Sequence, residues 1–288
     1  MRVLLKKPFL VLFFTVILSC DSDEKKEYYD GGELKKRYTK VGEKIEGLYL
    51  EYYRNGNIKS RHKYLNNRKI DSSVYYYYES INDKIDFIRY WSNDSTIKEK
   101  KFDTLGNIIS SGRLDSELIK VGKWNFFSKG KIVATKEYIN IKGEEYLNQS
   151  WHLNERGDTI STGTHFEILF SKDTIDVDQP LRAVTFLDNP LFEGDKSEIF
   201  VCIPADSVNL NKDFSNLSEI KLDTFYNLSK DKINQKWLKG ENINLTAVFG
   251  KWFKTSGKKQ IRGVIVERVR DSIIKEHIKY FDKQIFVK

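Results

Sequence analysis

Four histidines, an internal cysteine and a short run of aspartates are the residues best suited to carry chemistry in this chain. The histidines are His62, His152, His165 and His277, and none belongs to a His-Glu-x-x-His zinc pattern. No Gly-x-Ser-x-Gly elbow and no Gly-x-x-x-x-Gly-Lys-Ser/Thr phosphate loop occurs. His152 adjoins Trp151 on a strand-like segment, where a structural or exposed ring is expected before a catalytic one. Cys202 stands in Phe200-Val201-Cys202-Ile203, an apolar setting that makes a thiol inert, whereas a nucleophile needs exposure and a nearby base. Asp173, Asp176 and Asp178 are ligand types that calcium prefers. Strand alternation turns Asp173 away from the other two, and no glycine turn or closing glutamate accompanies them. A polar linker is the expected reading, and the chain as a whole is expected to have no catalytic residue, no metal and no cofactor.

The elements that would position these residues belong to a chain of 288 residues with 40% hydrophobic and 31% charged content. That balance excludes a disordered chain and a multi-pass membrane protein. A formal charge of +8 beside 18 Phe, 16 Tyr and 5 Trp first suggests a nucleic-acid binder that stacks bases. The charge distribution argues against it. Residues 20–170 carry a net +2 and residues 171–288 a net +3, with Lys and Glu interleaved, as in Glu43-Lys44-Ile45-Glu46. Phosphate binding needs basic groups that are not neutralised locally, so no nucleic-acid partner is expected.

Residues 1–19 have the layout of a secretory signal: Arg2, Lys6 and Lys7, then an apolar run from Phe9 to Leu18 that is half a bilayer span. The segment ends Ile17-Leu18-Ser19-Cys20, which resembles a bacterial lipobox. The resemblance implies cleavage before Cys20 and acylation of its thiol and amine. Residues 20–27, with Asp21, Asp23 and Glu24, read as an acidic, flexible tether, and the cluster is similar to the surface-export signal of Bacteroidetes lipoproteins. An outer-membrane location, surface exposure included, is the implied address. Asp-Ser/Thr-aliphatic tripeptides resemble the O-glycosylation acceptor of the same bacteria, which would place glycans on Ser95, Thr104, Thr159, Thr174, Ser207 and Ser272. Ordinary turn chemistry is the competing account of these tripeptides.

Residues 28–170 repeat. The unit is an aromatic pair, a glycine turn and an aliphatic residue, clearest at Tyr52-Tyr53-Arg54-Asn55-Gly56-Asn57-Ile58. The turn glycines fall at 32, 56, 106, 130 and 157, and a degenerate copy at 77–85 fills the long interval, giving six units. Asn-Gly and Lys-Gly turns between Tyr-, Phe- and Ile-rich arms predict β-hairpins whose sheets must stack side by side. Gly47-Leu48-Tyr49 and Gly122-Lys123-Trp124 recur at matching offsets, as if each glycine opened the next strand. The pattern resembles the MORN-repeat variant of YwqK-type antitoxins. That resemblance implies an elongated antiparallel sheet serving as an interaction or spacer surface.

From Ser171 the repeat stops. Short β runs at 174–177, 181–186, 198–203, 220–225, 243–249, 261–269 and 273–287 predict a β-sandwich over 171–288, of which an immunoglobulin-like arrangement is one form. The last run is long enough for two strands. The unbroken apolar stretch Ile199 to Ile203 suits a strand buried on both faces. Ile233 and Trp237, four apart before Gly240, suggest a short helix over 228–238. The expected class is all-β. The expected protein is a lipid-anchored, non-catalytic binding or scaffold module with a protein partner. An immunity-like protein that binds a toxic partner and a glycan-binding accessory protein are the alternatives.

Overall fold

The computed structural model describes residues 22–78, 83–92, 96–192, 197–205, 208–270 and 274–288. The signal segment, Cys20, Ser95, Ser207, Ser272 and the centre of the 77–85 copy lie outside the described residues. The structure is all-β, and the repeat builds its larger part. Twelve antiparallel strands follow one another in chain order: β1 (Ser22–Tyr28), β2 (Leu34–Val41), β3 (Lys44–Tyr52), β4 (Ile58–Leu65), β5 (Arg68–Tyr76), β6 (Ile85–Trp91), β7 (Ile97–Phe102), β8 (Ile108–Leu114), β9 (Lys120–Ser128), β10 (Lys131–Ile141), β11 (Glu144–Leu153) and β12 (Thr159–Phe170). Each unit of the repeat contributes two strands. Because every neighbour is antiparallel, the five repeat glycines all fall at one end of the sheet.

Four of the five turns at that end are built alike, the two-residue Lys129-Gly130 turn being the exception. The N–H of Tyr53 donates to the carbonyl of Asn57, and Gly56 closes back on Tyr53 at a φ of +86°, a conformation that costs glycine nothing. Residues 29–33, 103–107 and 154–158 make the same pair of bonds. A clamp then ties each early unit to the next. The hydroxyls of Tyr29, Tyr53 and Tyr77 donate to the carbonyls of Tyr52, Tyr76 and Phe102, at 2.8, 2.8 and 2.6 Å. Asp103 and Asn154 take the equivalent position later in the chain and instead accept N–H bonds from their own turns. The clamp accounts for the second tyrosine of the aromatic pair in these units.

A lone sheet lacks a second layer to bury its face, and an aromatic row supplies part of that burial. Tyr38 stacks on Tyr49 (5.1 Å between centroids), Tyr49 meets His62 (5.8 Å), His62 meets Tyr75 (5.3 Å), and Tyr75 stacks on Phe87 (4.2 Å). Such cross-strand pairs contribute roughly 0.2–1 kcal/mol each. Further along, Ile97, Leu114, Trp124 and Tyr138 form a small core with Trp91 and Phe126 against it. Gly47 and Gly122 do not open strands as expected. They sit inside β3 and β9 at positive φ, where the register shifts, and so form bulges.

Two further corrections concern boundaries. Residues 22–27 are not a free tether, since they pair with β2 through most of its length. An edge strand needs backbone partners rather than apolar side chains, and Lys36–Glu27 (3.3 Å) ties the pair. The boundary drawn between 170 and 171 falls within a continuous sheet. β12 pairs with β14 (Leu181–Asn189), which pairs with β17 (Thr246–Lys251), making fourteen strands. A second sheet runs in the order β13 (Thr174–Ile175), β19 (Ile274–Val287), β18 (Gly257–Arg270), β15 (Ser197–Pro204) and β16 (Leu222–Tyr226). The sandwich is therefore not free-standing: one of its layers is the end of the hairpin sheet.

Leu181, Ala183, Leu187 and Phe249 from the long sheet meet Ile199, Val201, Ile203, Ile265, Phe281 and Ile285 from the short one. Each such buried Leu, Ile or Phe contributes roughly 1.5–3 kcal/mol. The segment Ile199–Ile203 is buried on both faces, because Phe200 and Cys202 pack on the far side with Val264, Val266, Leu217 and Leu222. β19 is one strand of 14 residues, paired with β18 along its whole length, not two. The helix contracts to α1 (Lys232–Gln235), and its expected apolar residues Ile233 and Trp237 are exposed.

Candidate functional site

The four histidines and Cys202 are held apart on different strands, and Asp173, Asp176 and Asp178 lie in the loops on either side of β13. His62 is buried on β4, with Nε2 2.9 Å from the Ser60 hydroxyl. Burial, then the charge of Lys69, pushes its pKa down to about 4. His152 lies 3.0 Å from the Thr162 hydroxyl. His165 packs on Trp151 (5.6 Å), and His277 on Tyr146 (6.5 Å); burial lowers the pKa of both. Cys202 is buried, its sulfur 3.6 Å from the Thr224 hydroxyl, and burial pushes the thiol up. Asp178 pairs with Lys254 and Asp173 with Lys283, each at 2.7 Å. Among the described residues no group of three His, Cys, Asp or Glu could hold a metal ion, and no helix is long and apolar enough to cross a membrane. Of the glycan acceptors, Thr104, Thr159 and Thr174 are exposed.

His62 has a measurable consequence. Its folded pKa lies below the unfolded value of about 6.5, so the unfolded chain binds the extra proton and stability falls as pH drops from about 6.5 to about 4. The loss is on the order of 3 kcal/mol. Urea midpoints at pH 7 and pH 4.5 should separate the parent from His62→Phe, with the variant losing less; equal losses would exclude this origin for the acid sensitivity.

The polar groups that do converge lie where β11 crosses β19, and the histidine-centred reading of the sequence did not find them. β13 covers only the end of β19, at Phe286 and Val287, leaving backbone groups of β19 open along that edge. Side chains of β11 fill the gap. Tyr146 donates its hydroxyl to the Ile278 carbonyl (2.6 Å). Asn148 donates to the Tyr280 carbonyl (2.9 Å) and accepts from the Tyr280 N–H (2.7 Å), imitating a neighbouring strand. Glu137 accepts from both Asn148 (2.9 Å) and Gln149 (2.7 Å), and Gln149 accepts from the Phe166 N–H (2.9 Å).

Two fully buried ionisable residues flank this junction. Glu267 accepts bonds from the N–H groups of Leu191 and Phe192 and from the Ser197 hydroxyl, at 2.9 to 3.0 Å. Lys279 donates to the Asn148 carbonyl (3.3 Å), and burial lowers its pKa to about 8 against the opposing pull of Glu267 and Glu137. A hollow of about 320 Å³ opens at the junction, lined by Glu137, Asn148, Gln149, Phe166, Phe170 and Tyr280 among others. The only sequence signal for this junction is a polar triplet, Asn148-Gln149-Ser150, in mid-strand with its three residues buried. The arrangement orients two layers. Compared with known proteins, the chain matches no family model and no curated sequence.

Proposed function

We propose that the chain is a non-catalytic, lipid-anchored cell-envelope protein whose hairpin sheet acts as a spacer and whose sandwich carries the binding surface. The observation that carries this reading is the placement of its two ends. β1 begins at Ser22, two residues after the acylation candidate Cys20, and the sandwich caps the opposite end of the strand order. Fourteen strands at ~4.8 Å spacing separate the two by about 60 Å, less what twist removes. Two or three acyl chains on Cys20 hold a protein stably at a bilayer, since each buried CH₂ contributes ~0.8 kcal/mol. The charged edge of β1 would lie at the membrane surface, and its run of Asp23, Glu24, Lys25, Lys26 and Glu27 discourages strand addition there. The MORN-variant resemblance of the repeat supports the same spacer role.

Cys20→Ala is expected to abolish incorporation of labelled palmitate and to shift the protein out of the membrane fraction. Unchanged labelling and fractionation would overturn the anchor. Intact-mass measurement of the native protein reads the acyl chains directly. It also reads any hexose on Thr104, Thr159 or Thr174; a mass of polypeptide plus lipid alone removes the glycosylation reading.

A further inference from the structure

The sandwich carries a cleft of about 730 Å³ away from the junction, within the range of small-molecule sites. It is walled by the end of β15, the 208–210 segment, the end of β17 with the loop after it, and the start of β18. Five basic residues line it, Lys251, Lys254, Lys258, Lys259 and Arg262, and no acidic residue does. At its edges Asp178 answers Lys254 (2.7 Å) and Asp282 answers Arg262 (2.9 Å). Lys259 spends its ammonium on the Thr255 hydroxyl (2.5 Å), a neutral partner, and among the described residues no carboxylate pairs with Lys258 or Lys259. A chain whose surface elsewhere interleaves Lys and Glu thus concentrates positive charge in a concavity.

Trp252 provides the second, independent feature. Trp91, Trp124 and Trp151 are packed in the hairpin sheet, each beneath a lysine, and Trp237 is exposed on the turn after α1. Trp252 is 52% exposed and lines the cleft, with no ring partner among the described residues. Asn209, Thr255 and Gln260 add neutral polar groups from three of the walls, although Gln260 donates to Asp282 and Thr255 accepts from Lys259. A flat apolar face, amide and hydroxyl groups, and ammonium groups together match a ring with one apolar face, hydroxyls at its edge and a negative substituent.

We infer that this cleft binds an acidic sugar, a pyranose unit bearing a carboxylate or a phosphate, with Trp252 against the ring, Lys259 at the anion, and Lys258, on the opposite face of β18, adding positive charge at the rim. Both groups share the chemistry that the lysines recognise, and the titration distinguishes them. The inference deepens the binding role proposed above but is independent of Cys20, so a protein that fails to acylate can still bind the sugar.

The test is titration of the purified full chain with a galacturonate hexasaccharide, a phosphorylated mannose oligosaccharide, the neutral galactose hexamer, inorganic phosphate and a single-stranded oligonucleotide. Intrinsic tryptophan fluorescence and calorimetry report binding. At least one acidic oligosaccharide should bind, shift the fluorescence and weaken with salt. Trp252→Ala and the Lys258→Glu/Lys259→Glu pair should each weaken it about tenfold or more. All three positions lie at the surface of the cleft, and an unchanged melting temperature verifies the fold. Failure of both acidic oligosaccharides to bind overturns the inference, as does binding that neither variant changes. Equal affinity for the neutral hexamer, for phosphate alone or for the oligonucleotide overturns it too.

Discussion

Trp124→Ala should remove about 3–5 kcal/mol from the hairpin sheet, the range found for deleting a large buried aromatic. Trp124 is 1% exposed, its indole N–H donates to the Arg113 carbonyl (2.9 Å), and it lies in the one apolar core that the hairpin strands form among the described residues. Its seat is Gly112 on β8, where a Cβ would approach the indole to within 2.2 Å. Gly112→Ala should therefore destabilise by roughly 1–3 kcal/mol through overpacking. The double variant decides the mechanism. With the indole gone, an alanine at 112 fills space in place of clashing, so the two losses should fall short of adding by about 1 kcal/mol or more. Urea unfolding followed by hydrogen exchange at β8 and β9 measures this. Strict additivity would mean that the contact does not govern the stability of these strands.

The same pair shows what the sequence discloses and what it hides. Gly122-Lys123-Trp124 is visible as a recurring motif, and the twelve strands follow from the spacing of the turn glycines. That Gly112 is the partner across the sheet is not visible, because the bulge at Gly122 shifts the register between β8 and β9. β1 was hidden for another reason. Its residues are charged, like those of a linker, yet an edge strand is held by main-chain bonds that composition does not report. The end of the repeat at 170 is a change of side-chain partners as the second layer begins, while the hydrogen-bond ladder continues through β14 and β17. The acidic-sugar cleft was concealed in the same way: Ser256-Gly257-Lys258 reads as a turn, and only the fold brings Trp252, Lys259 and Arg262 to one cleft.

Stability should also rise with pH between about 8 and 10, and Lys279 should be the cause. Its side chain is fully buried where the two layers of the sandwich meet β11, and its folded pKa of about 8 lies below the unfolded value of about 10.4. Below pH 8 both states are protonated, and the folded state bears the full penalty of a buried ammonium. Between the two pKa values the unfolded chain holds the proton that the folded chain has released, so stability increases with pH, by about 3 kcal/mol at most. Cys202 and the buried tyrosines act in the opposite sense, because burial raises their pKa values; Tyr64 and Tyr146 reach about 12. The difference between the parent and Lys279→Met isolates the lysine from these groups. The methionine variant keeps the side-chain volume but leaves buried Glu267 with one counter-charge fewer, so the pH dependence of the difference, not its value at pH 7, reports the ammonium. Between pH 8 and pH 10 the parent should gain up to about 3 kcal/mol on the variant. Urea midpoints for both proteins across this range provide the measurement, and a difference independent of pH would show that the Lys279 ammonium is not desolvated. A lysine that titrates here would also loosen the Asn148 contact as it changes charge, so hydrogen exchange at Tyr280 should follow the same titration.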